Sequence, residues 1–179
     1  GDVVNITVTK LKKNYGYGHL NSIIKPSDIR TDPQCPVFRR CGGCQLQSMD
    51  YEAQLQFKQS HVRSCLERIG GFRNIPMEAI IPSPLQTGYR NKAQFPVGRD
   101  KEGNIVTGFY AGRSHNIIPC EGCVLCPDYF SKVVLTVTGW MQENNIEPYD
   151  EASGTGLVRH IFIREAASSG EYCVCLIIN

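Results

Sequence analysis

The sequence predicts an α+β fold: a mostly antiparallel sheet with two helices, preceded by an N-terminal hairpin. Three observations predict it. Apolar and polar residues alternate with period two in several short segments, two longer segments keep helical spacing, and Gly, Pro and Asn separate them.

Residues 1–25 read as the hairpin. Val4, Ile6 and Val8 share one strand face, and Leu20 and Ile23 follow a break at Asn14 to Gly18. The turn carries Lys10, Lys12, Lys13, Asn14, Tyr15 and Tyr17, a mixture of cations and rings that suits phosphate contact and base stacking but is more commonly found on a solvated tip. A hairpin alone is marginal in water, so it needs packing or further strands. Pro26, Pro33 and Pro36 then bound a loop holding three cysteines. Asp50 to Ile69 reads as a helix: Asp50 caps it, Glu52 suits the positive first turn, and Gly70-Gly71 ends it. Tyr51, Leu55, Val62, Leu66 and Ile69 are its expected buried stripe; Gln54, Lys58, His61, Cys65 and Arg68 form another.

Further on, Tyr89, Ala93, Phe95 and Val97 alternate with Arg90, Lys92 and Gln94. Such a strand buries the first set and presents the second as a basic face. Strands are also expected over Asn104 to Tyr110, Arg113 to Ile118, Leu157 to Arg164 and Tyr172 to Ile178. Pro127 opens a second helix, whose stripe is Phe130, Val133, Val134, Val137 and Met141. The domain expectation is a hairpin at 1–30, a cysteine loop at 31–49, a helix at 50–72 and an α+β RNA-binding domain at 73–179.

The chain has 179 residues, 41% hydrophobic and 20% charged, which excludes a disordered tail and allows a core without disulfide staples. No apolar run approaches the roughly 18 residues of a membrane span, and no secretory leader is visible. Net charge is +6 over residues 1–100 and −4 over the remainder. A basic front half permits nucleic-acid binding.

Nine cysteines dominate the chemistry: Cys35, Cys41, Cys44, Cys65, Cys120, Cys123, Cys126, Cys173 and Cys175. An odd count in tight clusters argues against a secreted disulfide framework and for metal binding or redox work in the cytoplasm. In Cys41-Gly42-Gly43-Cys44 the glycines let backbone amides approach the sulfurs. Zinc held by two Cys-x-x-Cys pairs and an iron–sulfur cluster held by Cys35, Cys41, Cys44 and one remote thiol are both compatible with the spacing. Cys65, Cys173 and Cys175 are expected to be packing thiols.

The run Cys35-Pro-Val-Phe-Arg-Arg-Cys41-Gly-Gly-Cys44-Gln-Leu-Gln47 closely resembles the cluster loop of RumA-type 23S rRNA (uracil-5-)-methyltransferases. The resemblance continues in Tyr51 to Leu55 with Lys58, in Gly88 to Phe95, in Gly108-Phe109-Tyr110, in Arg113-Ser114-His115 and in Gly154 to Arg164. It implies a 4Fe-4S cluster on Cys35, Cys41, Cys44 and Cys123, with Cys120 and Cys126 departing from the family pattern. It implies that residues 1–24 are half of a TRAM-like RNA-binding β-barrel. It also implies that S-adenosylmethionine and the catalytic groups sit in a domain outside this chain, which by itself is then inactive. The expected partner is ribosomal RNA, with transfer RNA as the alternative. The expected RNA contacts are Lys12, Lys13, Arg90, Lys92, Gln94, Arg113 and His115. A zinc-stapled RNA-binding module without activity is the rival reading.

Overall fold

In the computed structural model, which describes residues 1–120 and 122–179, the expected α+β architecture is present. The chain divides into two compact units, one of residues 1–32 with 46–81, the other of residues 33–45 with 82–179.

In the first unit, strands β1 (Val3–Leu11) and β2 (Gly16–Lys25) form an antiparallel hairpin with Ile6 opposite Leu20. Its polar face carries a small network, in which Asn21 Nδ2 donates to Asn5 Oδ1 at 2.7 Å and to Thr7 Oγ1 at 3.0 Å. At the base, Arg30 and the Ser27 amide both bond Asp2, the Arg30 Nε at 2.9 Å. These charged bonds hold the Asp2 carboxyl well below the usual carboxylate range, the Arg30 bond foremost.

Helix α1 (Tyr51–Arg68) follows its sequence signals at both ends. Asp50 accepts from the Ala53 amide at 2.8 Å. The Gly70 and Phe72 amides return to the Cys65 and Leu66 carbonyls, and Gly71 takes the left-handed φ of 71° that this ending requires. The expected stripe is corrected. Tyr51, Leu55 and Leu66 are half-buried, Val62 and Ile69 are exposed, and Ala53 alone in the helix is buried. What is seen against the helix is an extended segment tied by Gln59, whose side chain bonds the Ile80 amide and the Glu78 carbonyl. A segment that thin covers one strip of the helix rather than a full apolar face.

The second unit is a five-stranded antiparallel sheet in the order β5-β4-β3-β6-β7. Its strands are β3 (Lys92–Arg99), β4 (Ile105–Tyr110), β5 (Ile117–Pro119), β6 (Val158–Ala166) and β7 (Glu171–Ile178). Register sets the faces. Ala93 lies opposite Ile163 and Phe95 opposite Ile161, and all four side chains are buried. Helix α2 (Asp128–Glu143), entered at Pro127, adds Phe130, Val134 and Met141 to the same core. Its β-branched content is accommodated in part by back-bonding, as Thr136 and Thr138 donate to the Lys132 and Val134 carbonyls. Full burial of an apolar side chain such as Phe130 or Met141 contributes about 1.5–3 kcal/mol. Three expectations fail here. The strand expected from Arg113 begins only at Ile117, because Arg113 takes a left-handed backbone conformation in a turn. Tyr89 precedes β3 and is exposed, and Cys173 and Cys175 are exposed neighbours with sulfurs 3.4 Å apart rather than packing thiols.

Candidate thiol corner and basic sheet face

Both features belong to the second unit. The loop around Cys35 to Cys44 is tightly wound: the Cys41 amide bonds the Val37 carbonyl at 2.8 Å, and Val37 is buried. Cys41 then pairs as a lone bridge with Ala111, and the Gly42 amide reaches the Tyr110 carbonyl at 3.0 Å. A Cβ on Gly42 would sit about 3.0 Å from the Gly112 backbone, so any side chain there would push the loop back from the end of β4 by a few tenths of an ångström. The Gly43 amide faces the Cys41 sulfur at 3.4 Å.

The second loop meets the first. Burial pushes the Cys120 thiol up, and the neighbouring Cys35, Cys123 and Cys41 thiols add to the shift. Cys123 and Cys126 share a hydrogen bond that favours the Cys123 thiolate and holds Cys126 protonated. Arg90 contributes positive charge to both. That charge comes from an unexpected place. Arg90 is half-buried ahead of β3, and its amide is bonded to Leu125 at 2.8 Å, so it joins the thiol corner instead of the strand's outer face. Cys44 is half-buried. Among the described residues no group of three or more His, Cys, Asp or Glu side chains forms a ready single-ion site.

The outer face of the sheet carries the rest of the basic pattern. Lys92 and Gln94 are exposed on β3. In register, Lys92 lies opposite the exposed Arg164, and Gln94 opposite Phe162. Lys92 Nζ stands 5.5 Å over the Phe162 ring. Like charges directly opposed across two strands repel. An anion between them removes that cost. Sequence reading missed Arg164 and Phe162, although their alternation in His160-Ile-Phe-Ile-Arg164 mirrors that of β3.

The other expected contacts are dispersed. Lys12 and Lys13 are exposed at the hairpin tip of the first unit, near the edge-to-face pair Tyr15 and Tyr17 at 5.6 Å. Arg113 is exposed and takes a left-handed φ of 61° in the turn after β4. His115 is exposed, stacked on Tyr110 at 5.2 Å, with Nδ1 3.1 Å from the Glu151 carboxylate.

The fold and the site define a class: a helix-backed antiparallel sheet with one basic, aromatic face and a thiol-rich corner. No protein-family model matches the chain. Curated relatives do. It is 38% identical to an uncharacterized RNA methyltransferase of Clostridium tetani and 41% identical to one of Halalkalibacterium halodurans, over 177 residues in each case. Each match covers 99% of this chain and 38% of the relative, so the chain spans less than two fifths of the relatives' length. Over nearly its whole length the chain is similar to part of each of these RNA methyltransferases. Its fold is also that of part of the Pyrococcus abyssi tRNA (uracil-54, C5)-methyltransferase solved with S-adenosyl-L-homocysteine. That structure matches with a TM-score of 0.67 and 24% identity, over 97% of this chain and 38% of the other. No helix among the described residues is long and apolar enough to cross a membrane.

Proposed function

We propose that this chain is the RNA-holding and iron–sulfur part of a cytoplasmic, S-adenosylmethionine-dependent enzyme that methylates uracil C5 in 23S ribosomal RNA. One observation carries the RNA reading: Lys92 and Arg164 oppose each other in register on an uncovered sheet face beside Phe162. Two cations and a ring so placed suit one phosphate and an unstacked base. S-adenosylmethionine would supply the methyl group from a domain outside these residues. The hairpin, with its apolar side chains uncovered, fits part of a TRAM-like barrel. A transfer RNA substrate is the alternative.

The residues suit a 4Fe-4S cluster in their chemistry, four thiols of which three come from one tightly wound loop. Cys35, Cys41 and Cys123 all act electrostatically on Cys120, and Cys44 lies three positions beyond Cys41. Arg90 lowers the charge cost of a thiolate at Cys123, and the Gly43 amide faces the Cys41 sulfur. On this reading Cys35, Cys41, Cys44 and Cys123 hold the cluster and join the loop at 35–44 to the segment near 123. Anaerobic protein then carries iron and sulfide, and Cys44→Ser loses both while Cys126→Ser keeps them. Stoichiometric zinc without iron favours the zinc-stapled alternative.

RNA contact is tested by titrating an rRNA fragment at several salt concentrations. Lys92→Ala and Arg164→Ala each lower the salt slope by about one. Unchanged affinity and slope in both, with the fold intact, refute the sheet-face reading.

A further inference from the structure

A third feature of the 33–45 and 82–179 unit has no role in that reading. A cleft of about 750 Å³ opens between the β3–β4 hairpin, the Asn116–Ile117 turn into β5, the Tyr149 to Ala152 loop and the start of β6. That volume lies within the roughly 300–1,000 Å³ usual for small-molecule sites. Two flat stacks line it: His115 on Tyr110, with planes 25° apart, and the Arg159 guanidinium 3.7 Å from the Tyr149 ring centre. Polar edges accompany them. His160 Nε2 is 3.5 Å from the Tyr110 hydroxyl, while its buried Nδ1 has no hydrogen-bond partner. Burial, and then Arg159, hold His160 toward its neutral form, which has one donor and one acceptor nitrogen.

Charge selects the ligand class. The lining carries Arg99, Lys101 and Arg159 against Asp100, Glu102, Asp150 and Glu151. Arg99 is spent on Glu147 at 2.5 Å and on the Gly103 carbonyl. Asp100 and Asp150 accept the amides of their own turns. The cleft therefore has no cationic surplus for a phosphate. It offers flat faces and a donor–acceptor set, which suit an uncharged planar heterocycle bearing N–H groups.

We propose that this cleft receives one unstacked nucleobase of the bound RNA, held against the Arg159–Tyr149 and His115–Tyr110 stacks with its edge read by Glu151 and His160. The proposal rests on the RNA reading above and extends it, since the sheet face takes a phosphate and stacks a base without reading its edge, whereas the cleft reads the edge of another base.

The test uses the intact protein and an rRNA stem-loop in which each loop nucleotide in turn is made abasic, its phosphate kept. At one position the abasic change weakens wild-type binding about tenfold. Tyr149→Ala weakens binding of the parent RNA by a similar factor and is insensitive to that abasic change. Tyr149→Phe, which keeps the ring, behaves as wild type. Glu151→Gln, on an exposed side chain, gives a second variant with the same loss of coupling should Tyr149→Ala unfold. Lys92→Ala weakens parent and abasic RNAs equally. If the wild type binds RNA with its salt slope intact but no abasic position couples to Tyr149 or Glu151, the cleft proposal falls alone. If the wild type binds no RNA, both readings fall.

Discussion

The hairpin and the five-stranded sheet are written in the same alternating code, yet only one of them has an interior. Val4, Ile6 and Val8 on β1 are 37%, 52% and 55% exposed, whereas Ala93, Phe95 and Val97 on β3 are each 4% exposed. The difference lies in what covers them. Strand β3 is central, flanked by β4 and β6, and its inner face shares a core with α2. Strand β1 pairs with β2 alone, through a ladder interrupted by three register shifts. Alternation marks which side chains can be buried together; burial itself requires a second layer.

Substitutions sharpen this contrast, and the largest effect is expected in the core. Phe130 is fully buried, so Phe130→Ala costs about 3–5 kcal/mol in urea unfolding. The matching change Ile6→Ala, on a half-exposed hairpin side chain, costs less than about 1 kcal/mol in the same measurement. Equal costs would mean that the hairpin has a packed layer after all.

Close packing within the sheet predicts the next effect. A Cβ at Gly108 would lie 2.0 Å from the Ile118 carbonyl oxygen, across the β4–β5 ladder. Gly108→Ala therefore displaces β5 and costs about 1–3 kcal/mol, with amide exchange rising first at Ile117 and Ile118. By contrast, Gly18→Ala in the hairpin meets the flexible end of Ile6 at 3.2 Å, and a smaller shift in exchange is expected there.

The smallest effect concerns acid at the hairpin base. The folded Asp2 carboxyl titrates below its unfolded value because Arg30 and the Ser27 amide bond the charged form. Its contribution is thus fully present above the unfolded pKa of about 4 and is lost as pH falls through the lower folded value. Between these values the β1–β2 amides exchange faster as pH falls, once the intrinsic pH dependence is divided out. Asp2→Asn shows the faster exchange already at neutral pH and loses the acid dependence. An unchanged pH profile in that variant would remove Asp2 as the anchor.

Much of the architecture was legible locally. Asp50 caps α1, Gly70-Gly71 ends it, Pro127 opens α2, and the alternation of Ala93, Phe95 and Val97 fixes the buried face of β3. Each signal operates within a few residues, where backbone sterics and hydrogen-bond geometry leave few choices. The candidate site was legible only in part. Lys92 and Gln94 stand on the face that alternation assigns them, but Arg90 lies ahead of the strand, so the alternation does not govern it.

By itself, then, the sequence determined periodicity, caps, turns and the clustering of thiols, all short-range properties of the chain. Tertiary structure decided which partners those residues meet. Lys92 faces Arg164 across 72 positions because β3 and β6 pair in one register, and a slip of one residue would turn either side chain to the core. Tyr110 reaches His160 over 50 positions only once β4 and β6 flank β3. Such contacts depend on register and layer order, which are fixed when the apolar faces are buried together and are absent from any local run of residues.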